Sequence, residues 1–461
     1  MRIGSGIPVM AGAAALAMAG LMPAHAFDLY KSGGLTLNGD FSAALGVINS
    51  ERSYSSIGVL SEPGKRTWFE GLGTYGISGN YQLGHNDGTI FGAFDLFSGA
   101  DRGGYNAAGI TTGHEYQTQI QNAYLGWKSG DTMPWLGHDG LQISAGRQTF
   151  QLGTGFLIGG DKISLGKGLN SVPGLGAPGG IERAGGTYYL GSLASFGKTA
   201  ILELGGAEGF HFKGFWLSSD NKYQGEEGLT GGNLEYRDAQ YGTLGATYIR
   251  GLSVSHVMDA IGFGRPYREG RNIGSIYGNT SLGIKQLAIA GQYVRESKGY
   301  QEAGYPDGRG HAWYASVGWT FDKIPWTPAL TYRFSRFSKT YDPMYYGFTS
   351  FGTWFQGEVA ANYAGPFSAA ADIQMVNLTA NPSPNLVLGT YYSHFGNIPS
   401  GTPKLQGNEV DAYAEWTVFT HYTIIPLMGY YKPKYSAADG GTQLGSNGPN
   451  IYSELILFVS F

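Results

Sequence analysis

Apolar and polar residues alternate along most of this chain, and this period of two restricts its fold more than any other feature of the sequence. In residues 35–47 the odd positions are apolar or glycine, whereas the even positions are mostly polar or small. Residues 311–322 and 407–418 follow the same pattern. Successive side chains of a strand point to opposite faces, so the pattern predicts many strands, each with one apolar and one polar face.

Residues 1–26 differ from the rest of the chain. Arg2 is followed by an apolar stretch over residues 9–22, and residues 24–26 read Ala-His-Ala, the A-x-A form of a cleavage site. This arrangement is typical of a secretory signal peptide and predicts a mature chain that begins at Phe27. The alternative is an uncleaved anchor helix, for which the apolar stretch is short. No later stretch is apolar for long enough to form a membrane helix.

Two further features favour a membrane barrel over a soluble sandwich, and a third argues against helices. Aromatic residues, 14% of the chain, gather at the ends of the apolar faces, as in the aromatic girdles of membrane barrels. The alternation continues through Leu455, Leu457 and Val459 to a terminal Phe461, an ending that resembles the assembly signal of outer-membrane barrels. Glycine, at 77 of 461 residues, argues against helices, where it costs about 1 kcal/mol relative to alanine. We predict an all-β fold, a transmembrane antiparallel up-and-down β-barrel.

The composition also excludes several kinds of site. The chain has no cysteine, which rules out disulfides, thiolate metal sites and cysteine nucleophiles. Its formal charge of -4 is small for its length and gives no sign of a nucleic-acid partner. Residues 71–76 match the G-x-G-x-x-G pattern of dinucleotide sites, but they lie in an alternating strand with no helix after them. We therefore predict no cofactor, no metal and no nucleic acid.

Turn-rich stretches divide the chain into eighteen candidate strands, and sixteen or twenty are the alternatives. Gly365 and Pro366 could split the long strand 354–377, but its apolar residues keep one parity throughout, and an odd total would place the two termini on opposite sides of the membrane. The predicted strands are 34–48, 68–84, 89–99, 117–128, 141–149, 181–191, 199–218, 229–236, 240–250, 273–283, 286–295, 311–321, 328–338, 354–377, 385–395, 407–418, 422–435 and 450–461.

The connection after the fifth predicted strand, residues 150–180, is the longest that follows an upward strand. It contains ten glycines, which permit sharp changes of chain direction. Some barrel channels fold the loop at this place inward to narrow the pore, so residues 150–180 are a candidate constriction loop. A long surface loop is an equal alternative.

Charged residues on the polar faces are the candidates for a functional site. Glu409, Asp411 and Glu415 share one face of a predicted strand with Tyr413, because side chains two residues apart point the same way. Such a group could line a wet lumen, bind a cation or substrate, or act as a general acid and base. Lumen lining is favoured, since the rest of that face is also polar. The same parity predicts lumen positions for Arg183, Glu203, Arg333, Glu358 and Asp372.

Arg147 departs from the alternation. Strict alternation points it at lipid, where an arginine costs roughly 2 to 4 kcal/mol at the midplane. A bulge near Gly146 that turns Arg147 inward is the favoured alternative. Together with Lys162 and Lys167 of the candidate constriction loop, Arg147 could form a basic wall opposite the acidic strands. Such an arrangement would orient polar solutes and tune ion preference.

Short motifs in four places carry a resemblance to a known family. They are residues 145–148 (Ala-Gly-Arg-Gln), 341–343 (Tyr-Asp-Pro), 407–411 (Gly-Asn-Glu-Val-Asp) and 430–433 (Tyr-Tyr-Lys-Pro). With these motifs the chain resembles the alginate-export family of outer-membrane channels, which are eighteen-stranded barrels. The resemblance implies passage of a carbohydrate or a similar hydrophilic solute through the lumen. Polyanion exporters of this kind have a strongly basic lumen, whereas the strands here carry at least as many acids as bases.

These observations predict a channel in the cell outer membrane for passive diffusion of small hydrophilic solutes, with sugars as one candidate class, and no enzymatic activity. The predicted partners are outer-membrane lipid and the solutes themselves, and the sequence does not fix the oligomeric state. Three alternatives stay open. They are an export channel for an alginate-like polysaccharide, an outer-membrane barrel enzyme that uses Asp411, and a structural or adhesive barrel whose function resides in loops 49–67, 100–116 and 251–272.

Overall fold

The computed structural model of the chain describes residues 27–55, 62–84, 87–168, 182–259, 264–297, 309–346, 356–365, 368, 370–396 and 404–461. The predicted signal peptide with its cleavage site and residues 169–180 of the candidate constriction loop lie outside the described residues. The strands are β1 (Phe27–Ser32), β2 (Leu35–Ser50), β3 (Arg66–Gln82), β4 (Thr89–Gly103), β5 (Tyr116–Lys128), β6 (Leu141–Thr149), β7 (Ser195–Leu204), β8 (Gly209–Ser218), β9 (Gly228–Asp238), β10 (Gly242–Ser253), β11 (Asn272–Thr280), β12 (Leu287–Glu296), β13 (Gly310–Thr320), β14 (Ala329–Phe337), β15 (Ala371–Ser383), β16 (Leu386–Gly396), β17 (Gly407–Phe419), β18 (Tyr422–Pro433) and β19 (Asn450–Ser460).

Strands β2 to β19 form a closed barrel. Each strand pairs antiparallel with the next one along the chain, and β19 pairs antiparallel with β2, with Tyr452 opposite Ser50 and Ser460 opposite Ser42. The predicted fold class and the predicted eighteen strands are therefore confirmed. Closure gives each of these strands two neighbours, which removes the exposed edges of an open sheet.

β1 is an additional strand that the alternation does not predict. It forms a hairpin with the first residues of β2, where Ser32 lies opposite Leu35 and Phe27 lies opposite Gly39. From Ser42 onward, the same edge of β2 pairs with β19. β1 and β19 thus lie end to end along one edge of β2. The ring of Phe27 covers Gly39, and a side chain at that position would collide with it.

The two ends of the barrel differ in the length of their connections. At one end, which we call the short-turn end, strands are joined by turns such as residues 205–208, 239–241 and 420–421. At the other, the long-loop end, the longest connections are residues 150–194 and 338–370. Since the barrel has an even number of strands, β2 begins and β19 finishes at the same end, the short-turn end.

Side chains of the barrel wall point alternately outward and inward. On β2, Leu45 and Val47 are exposed, whereas Ala44 and Ile48 are fully buried. Exposed aromatic side chains lie near both ends of the outward face, at Phe210, Tyr241, Trp319, Trp326 and Phe419 near the short-turn end and at Phe69, Tyr116, Tyr248, Tyr293 and Tyr430 near the long-loop end. Two aromatic belts around an apolar band are typical of membrane barrels.

The predicted single strand 199–218 is two strands, β7 and β8. They are joined by residues 205–208, where Gly205 adopts a φ of +103°. This left-handed backbone conformation is open to glycine at little cost, and it lets the chain reverse without a longer turn signal. The alternation continues on both sides of the turn, so the pattern does not indicate that one strand ends and another begins there.

The predicted strand 181–191 is absent from the described residues 182–194, which contain no strand. The carboxylate of Glu182 accepts hydrogen bonds from the backbone N–H groups of three successive residues, Ala184, Gly185 and Gly186. The distance is 2.5 Å for Ala184 and 3.3 Å for Gly186. These N–H groups are then not available for hydrogen bonds to a neighbouring strand, so the chain forms turns here. This error and the split of 199–218 cancel, which leaves the total at eighteen.

The predicted strand 354–377 is wrong over its first half. Residues 358–364 are helical, with a π-helical turn at Ala360–Ala364, and β15 begins only at Ala371. The side chains of residues 358–364 are buried on every side, so their alternation indicates no exposed face. The backbone N–H groups of Val359 and Ala360 donate to the Glu409 carboxylate at 2.6 and 2.9 Å, which satisfies two of the free donors at the start of the helical turn.

The other helices of the described residues are single 3₁₀ turns within the connections. They lie at Pro134–Leu136, Lys222–Gln224, Pro266–Arg268 and Ala437–Asp439. None of the described residues belongs to a helix that is long and apolar enough to cross a membrane.

Candidate functional site

The inward face of the wall carries the residues that the parity of β17 predicts there. Glu409, Asp411 and Tyr413 are buried, whereas Val410 between them is exposed on the outward face. Glu415 continues the inward row, and one oxygen of its carboxyl group has no hydrogen-bond partner among the described residues. The ring of Tyr413 stacks on that of Tyr391, with 5.7 Å between the ring centroids.

Glu203 also lies on an inward row, that of β7. Its carboxylate pairs with the ammonium of Lys213 at 2.9 Å and approaches the imidazole of His211 at 3.4 Å, both on the neighbouring β8. The wall therefore carries charges of both signs at this point.

The described part of the connection between β6 and β7, residues 150–168 and 182–194, forms what we call the first infolded segment. On one side of the barrel, the ring of Phe156 packs against Tyr314 of β13, with 5.1 Å between the centroids. On the other side, the backbone N–H groups of Tyr189 and Leu190 donate to Glu70 of β3 at 2.8 and 2.9 Å. Contacts with inward side chains on both sides of the wall place this segment in the barrel interior. That it narrows a pore stays a prediction.

Residues 338–346 and 356–365 belong to the connection between β14 and β15, and we call them the second infolded segment. The helical turn of this segment is held by Glu409 of β17 through the two hydrogen bonds described above. The ring of Tyr363 packs edge-on against Trp68 of β3 and lies 5.7 Å from the ring of Tyr452 of β19. The second infolded segment is therefore anchored to three strands of the wall.

The two infolded segments also contact each other inside the barrel. The backbone N–H of Gly159 donates to the carbonyl of Tyr345 at 2.8 Å. The rings of Tyr189 and Tyr363 are stacked, with 6.4 Å between the centroids and 10° between the planes. The Tyr189 hydroxyl is hydrogen-bonded to the carboxyl group of Glu358. Both segments thus form one connected layer across the interior.

A first group of charges gathers around two aspartates beside the first infolded segment. The guanidinium of Arg183 contacts Asp161 at 3.1 Å and Asp220 at 2.9 Å, and Asp220 is also paired with Arg147. The register of β6 against β7 shifts between Gly146 and Gln148, and Gly146 has a φ of +134°. The bulge predicted near Gly146 is therefore present.

A second group lies at the long-loop end, where Asp342 of the second infolded segment sits between two buried arginines. Arg268 donates to both of its carboxylate oxygens, at 2.6 and 2.8 Å, and Arg271 donates at 2.9 Å. Glu227 and Glu296 approach the same arginines at 3.2 and 3.4 Å. Burial alone would raise the pKa of Asp342, but the two guanidinium groups outweigh it and hold that pKa well below its usual value.

Lys162 is a further cation inside the barrel. It is half-buried in the first infolded segment, and burial lowers the pKa of its ammonium to about 8. Its ammonium makes no hydrogen bond or ion pair with another described residue. Arg333 lies on the inward row of β14 and donates to the sulfur of Met375 at 3.4 Å.

Several predicted pore-lining residues lie elsewhere than on an inward strand face. Glu358 is on the helical turn of the second infolded segment, and Arg183 is on the first. Asp372 is on β15, but the buried inward residues of that strand are Ala371, Ile373 and Met375. Asp372 therefore points outward, where it pairs with Arg336 at 2.6 Å. Parity alone predicted that the row of β15 with Asp372 faces inward. The apolar row faces inward instead, because the interior is packed.

The proposed basic wall is only partly assembled in the structure. Arg147 and Arg183 are brought together, but by Asp220, an acid that offsets their charge. Lys167 is exposed, with its ammonium 5.8 Å from the ring of Tyr116. Neither Lys162 nor Lys167 forms an ion pair with another described residue, and Lys162 differs from Lys167 in being half-buried.

Sequence reasoning missed Glu70 and Glu454, which anchor the infolded segments, and the cluster around Asp342. Glu70 and Glu454 lie on the inward parity of β3 and β19, so a search of every strand for acids of that parity would have found them. Arg268, Arg271 and Asp342 lie in connections, where no periodicity indicates what they contact. Within the described ranges, no group of three or more His, Asp or Glu residues is arranged to hold a metal ion.

Comparisons with known proteins agree with the barrel. No protein-family model matches the sequence, and no curated protein gives a significant match. Among solved structures, the chain is similar to Pseudomonas aeruginosa OpdQ, with a TM-score of 0.53, 13% identity and coverage of 92% of this chain and 97% of that one. A BenF-like porin from Pseudomonas fluorescens Pf-5 has a TM-score of 0.57 and 10% identity, with coverage of 92% and 98%. OccK11 (OpdR) of Pseudomonas aeruginosa has a TM-score of 0.51 and 12% identity, with coverage of 91% and 95%.

At such low identity these likenesses establish the fold alone. They extend over nearly the whole of each chain, so the match concerns the complete barrel and not a local motif. The similar structures support the closed barrel fold. They give no support to the alginate-export resemblance in particular.

Proposed function

We propose that this chain is an outer-membrane channel for passive diffusion of small hydrophilic solutes, with carbohydrates as a candidate class. The observation that carries the proposal is the closed barrel of eighteen strands, with aromatic belts on its outward face and charged residues on its inward face. A closed barrel satisfies every backbone hydrogen bond of the wall within lipid, and a polar interior provides a path for solutes. Outer-membrane barrels have their short turns on the periplasmic side, so the short-turn end is proposed to face the periplasm.

The infolded segments are proposed to set the width of the path. The side chains proposed to line what remains open are those that face the interior from the wall or from these segments, and the proposal includes no catalytic step. Of the predicted residues, this set comprises Arg147, Lys162, Arg183, Glu203, Arg333, Glu358, Glu409, Asp411, Tyr413 and Glu415. An exporter of an alginate-like polyanion is less well supported, because the wall around the second infolded segment carries Glu70, Glu409, Asp411 and Glu454.

Reconstitution tests this proposal directly. Purified protein added to one side of a planar lipid bilayer is expected to give discrete conductance steps, because ions can follow the polar interior. The same protein denatured by heat before addition serves as the control. A bilayer that stays sealed over many additions of folded protein would contradict the channel function. If conductance steps are seen, uptake of a series of sugars into liposomes shows which sizes of solute pass.

Lys162 is expected to make the ion preference of the channel depend on pH. Because burial lowers the pKa of Lys162 to about 8, its positive charge is present at pH 6 and largely lost at pH 9. The permeability ratio of chloride to potassium, measured from reversal potentials, is expected to fall about twofold over this range. Lys162→Met is expected to give the lower ratio at both pH values, whereas Lys323→Met, at an exposed turn of the short-turn end, is expected to behave as wild type. A wild-type response in Lys162→Met would contradict the assignment.

A further inference from the structure

Three separate parts of the chain meet at the hydroxyl group of Tyr189. This hydroxyl is hydrogen-bonded to the carboxyl group of Glu358 and lies 2.5 Å from Oε1 of Glu454. Tyr189 belongs to the first infolded segment, Glu358 to the second, and Glu454 to β19 of the wall. All three side chains are buried. We call this contact the tyrosine junction.

The number of protons limits how the tyrosine junction can be charged. A tyrosine hydroxyl carries one proton, and an ionised carboxylate can only accept a hydrogen bond. Tyr189 can therefore donate to one of its two carboxyl neighbours. The hydrogen bond to the other requires that this carboxyl group carries a proton of its own. The observed arrangement thus holds at least one proton on Glu358 or Glu454.

Most of the described groups that face the tyrosine junction are acids or tyrosines. Glu70 of β3 and Glu409 and Asp411 of β17 are the nearby acids of the wall, and no ion pair between described residues involves them or Glu454. The other described groups near the junction are the hydroxyls of Tyr363, from the second infolded segment, and of Tyr452, from β19. Around Glu358 they also include Tyr391 of β16 and Tyr413 of β17, and the charge of Arg333 of β14 acts on Tyr391.

The tyrosine itself is not the group that releases the proton. Burial, together with the neighbouring Glu358 and Glu454, raises the pKa of the Tyr189 hydroxyl well above its usual value. Tyr189 therefore stays protonated over the range in which a carboxyl group titrates. The proton lost on raising the pH comes from a glutamate and passes to water.

We propose that the tyrosine junction is a proton-dependent contact that holds both infolded segments against the wall and keeps the channel narrow. Loss of the shared proton leaves two carboxylates that face one hydroxyl, and their repulsion in a buried site releases the segments. The channel then widens at high pH. This inference rests on the proposed channel function for its effect on conductance, but the release itself can be measured without it.

Thiol labelling measures the release, and the absence of cysteine makes any introduced thiol unique. Ala361→Cys places it at a buried position of the second infolded segment, and Thr132→Cys places it at an exposed turn. The labelling ratio is the maleimide reaction rate of Ala361→Cys divided by that of Thr132→Cys, which removes the intrinsic pH dependence of thiols. This labelling ratio is expected to rise about tenfold between pH 5.5 and 8.5. A ratio that stays constant over this range would overturn the proposal. Ser192→Cys provides a second position, in the first infolded segment, if Ala361→Cys does not fold.

Neutral variants test whether the glutamates of the tyrosine junction cause the response. Glu358→Gln combined with Glu454→Gln removes both charges, and the labelling ratio is then expected to stay at its low-pH value throughout. Glu235→Gln is the matched control, since Glu235 is a buried inward acid whose carboxylate is hydrogen-bonded to Asn233, Arg237 and Tyr277 of the wall. A wild-type rise in the double variant, or its loss in the control, would contradict the assignment.

Conductance separates this inference from the proposed function. The single-channel conductance of the wild type is expected to rise with pH as the segments are released, and the double variant is expected to lack this rise. Labelling that depends on pH in a protein that forms no pores would support the tyrosine junction and overturn the channel function. Pores whose labelling ratio and conductance are both independent of pH would support the channel function and overturn the junction.

Discussion

Replacing Asp342 by asparagine is expected to lower the free energy of unfolding by about 3–5 kcal/mol, because it leaves the guanidinium groups of Arg268 and Arg271 buried without their shared counter-ion. All three side chains are almost fully buried. Glu227 and Glu296 still contact the two arginines, which favours the lower part of that range. Urea titration of the purified protein in lipid vesicles, followed by tryptophan fluorescence, measures the change.

Asp372→Asn is the matched control for this substitution. It also removes an aspartate that pairs with an arginine, at 2.6 Å from Arg336, but that pair is partly exposed. Exposed ion pairs contribute about 0–1 kcal/mol, so little change is expected. Equal effects of the two substitutions would show that burial of the Asp342 cluster does not stabilise the fold.

The Asp342 cluster also sets how this stability depends on pH. The pKa of Asp342 is lowered in the folded state, so its stabilising effect is complete above the unfolded value of about 3.9 and is lost as the pH falls through the lower folded value. The contribution of the Asp342 charge to the difference in stability between wild type and Asp342→Asn is therefore expected to disappear in strong acid, and the same urea titration repeated at low pH measures that loss.

Replacing Glu70 by alanine is expected to release the first infolded segment. The carboxylate of Glu70 accepts hydrogen bonds from the backbone N–H groups of Tyr189 and Leu190 and from the indole of Trp68. Each buried donor left without an acceptor costs about 1–3 kcal/mol, so a local loss of about 2–4 kcal/mol is expected after relaxation. The single-channel conductance should rise at least about twofold as the segment leaves the interior.

Two variants control for the role of Glu70. Glu70→Gln keeps an oxygen acceptor and is expected to change the conductance less. Glu235→Ala removes another buried inward acid, one that is hydrogen-bonded to Asn233, Arg237 and Tyr277 of the wall. It is expected to destabilise the wall without widening the channel. An unchanged conductance in Glu70→Ala would mean that the infolded segment does not depend on this anchor.

The barrel could be predicted from the sequence because alternation reports a local property of each strand. The outward rows of β2 and β17 have the predicted parity. The helical turn at residues 358–364 could not be predicted in this way. It is stabilised by Glu409, which follows it by about fifty residues, and it is buried on all sides, so neither periodicity nor local capping residues indicate it.

The inward residues were predictable only where the interior is polar. On β17, parity selects Glu409, Asp411 and Tyr413 correctly as the inward row. On β15 the interior is filled by apolar side chains of the infolded segments, so the apolar row faces inward and Asp372 faces outward. Alternation distinguishes two faces of a strand, but a packed interior removes the difference in polarity that tells inside from outside.

The pairing of β19 with β2, which closes the barrel, differs from every other strand pairing of the wall. Each other neighbouring pair of the barrel joins strands that follow one another in the sequence, whereas Ser50 and Asn450, hydrogen-bonded at 2.9 Å across this pairing, are 400 residues apart. Bringing such distant residues together carries the largest loop-closure entropy of any pairing in the wall. The kinetics of ring closure are therefore governed by this one encounter, and a substitution at Asn450 would slow assembly of the cylinder more than an equally destabilising one within a hairpin.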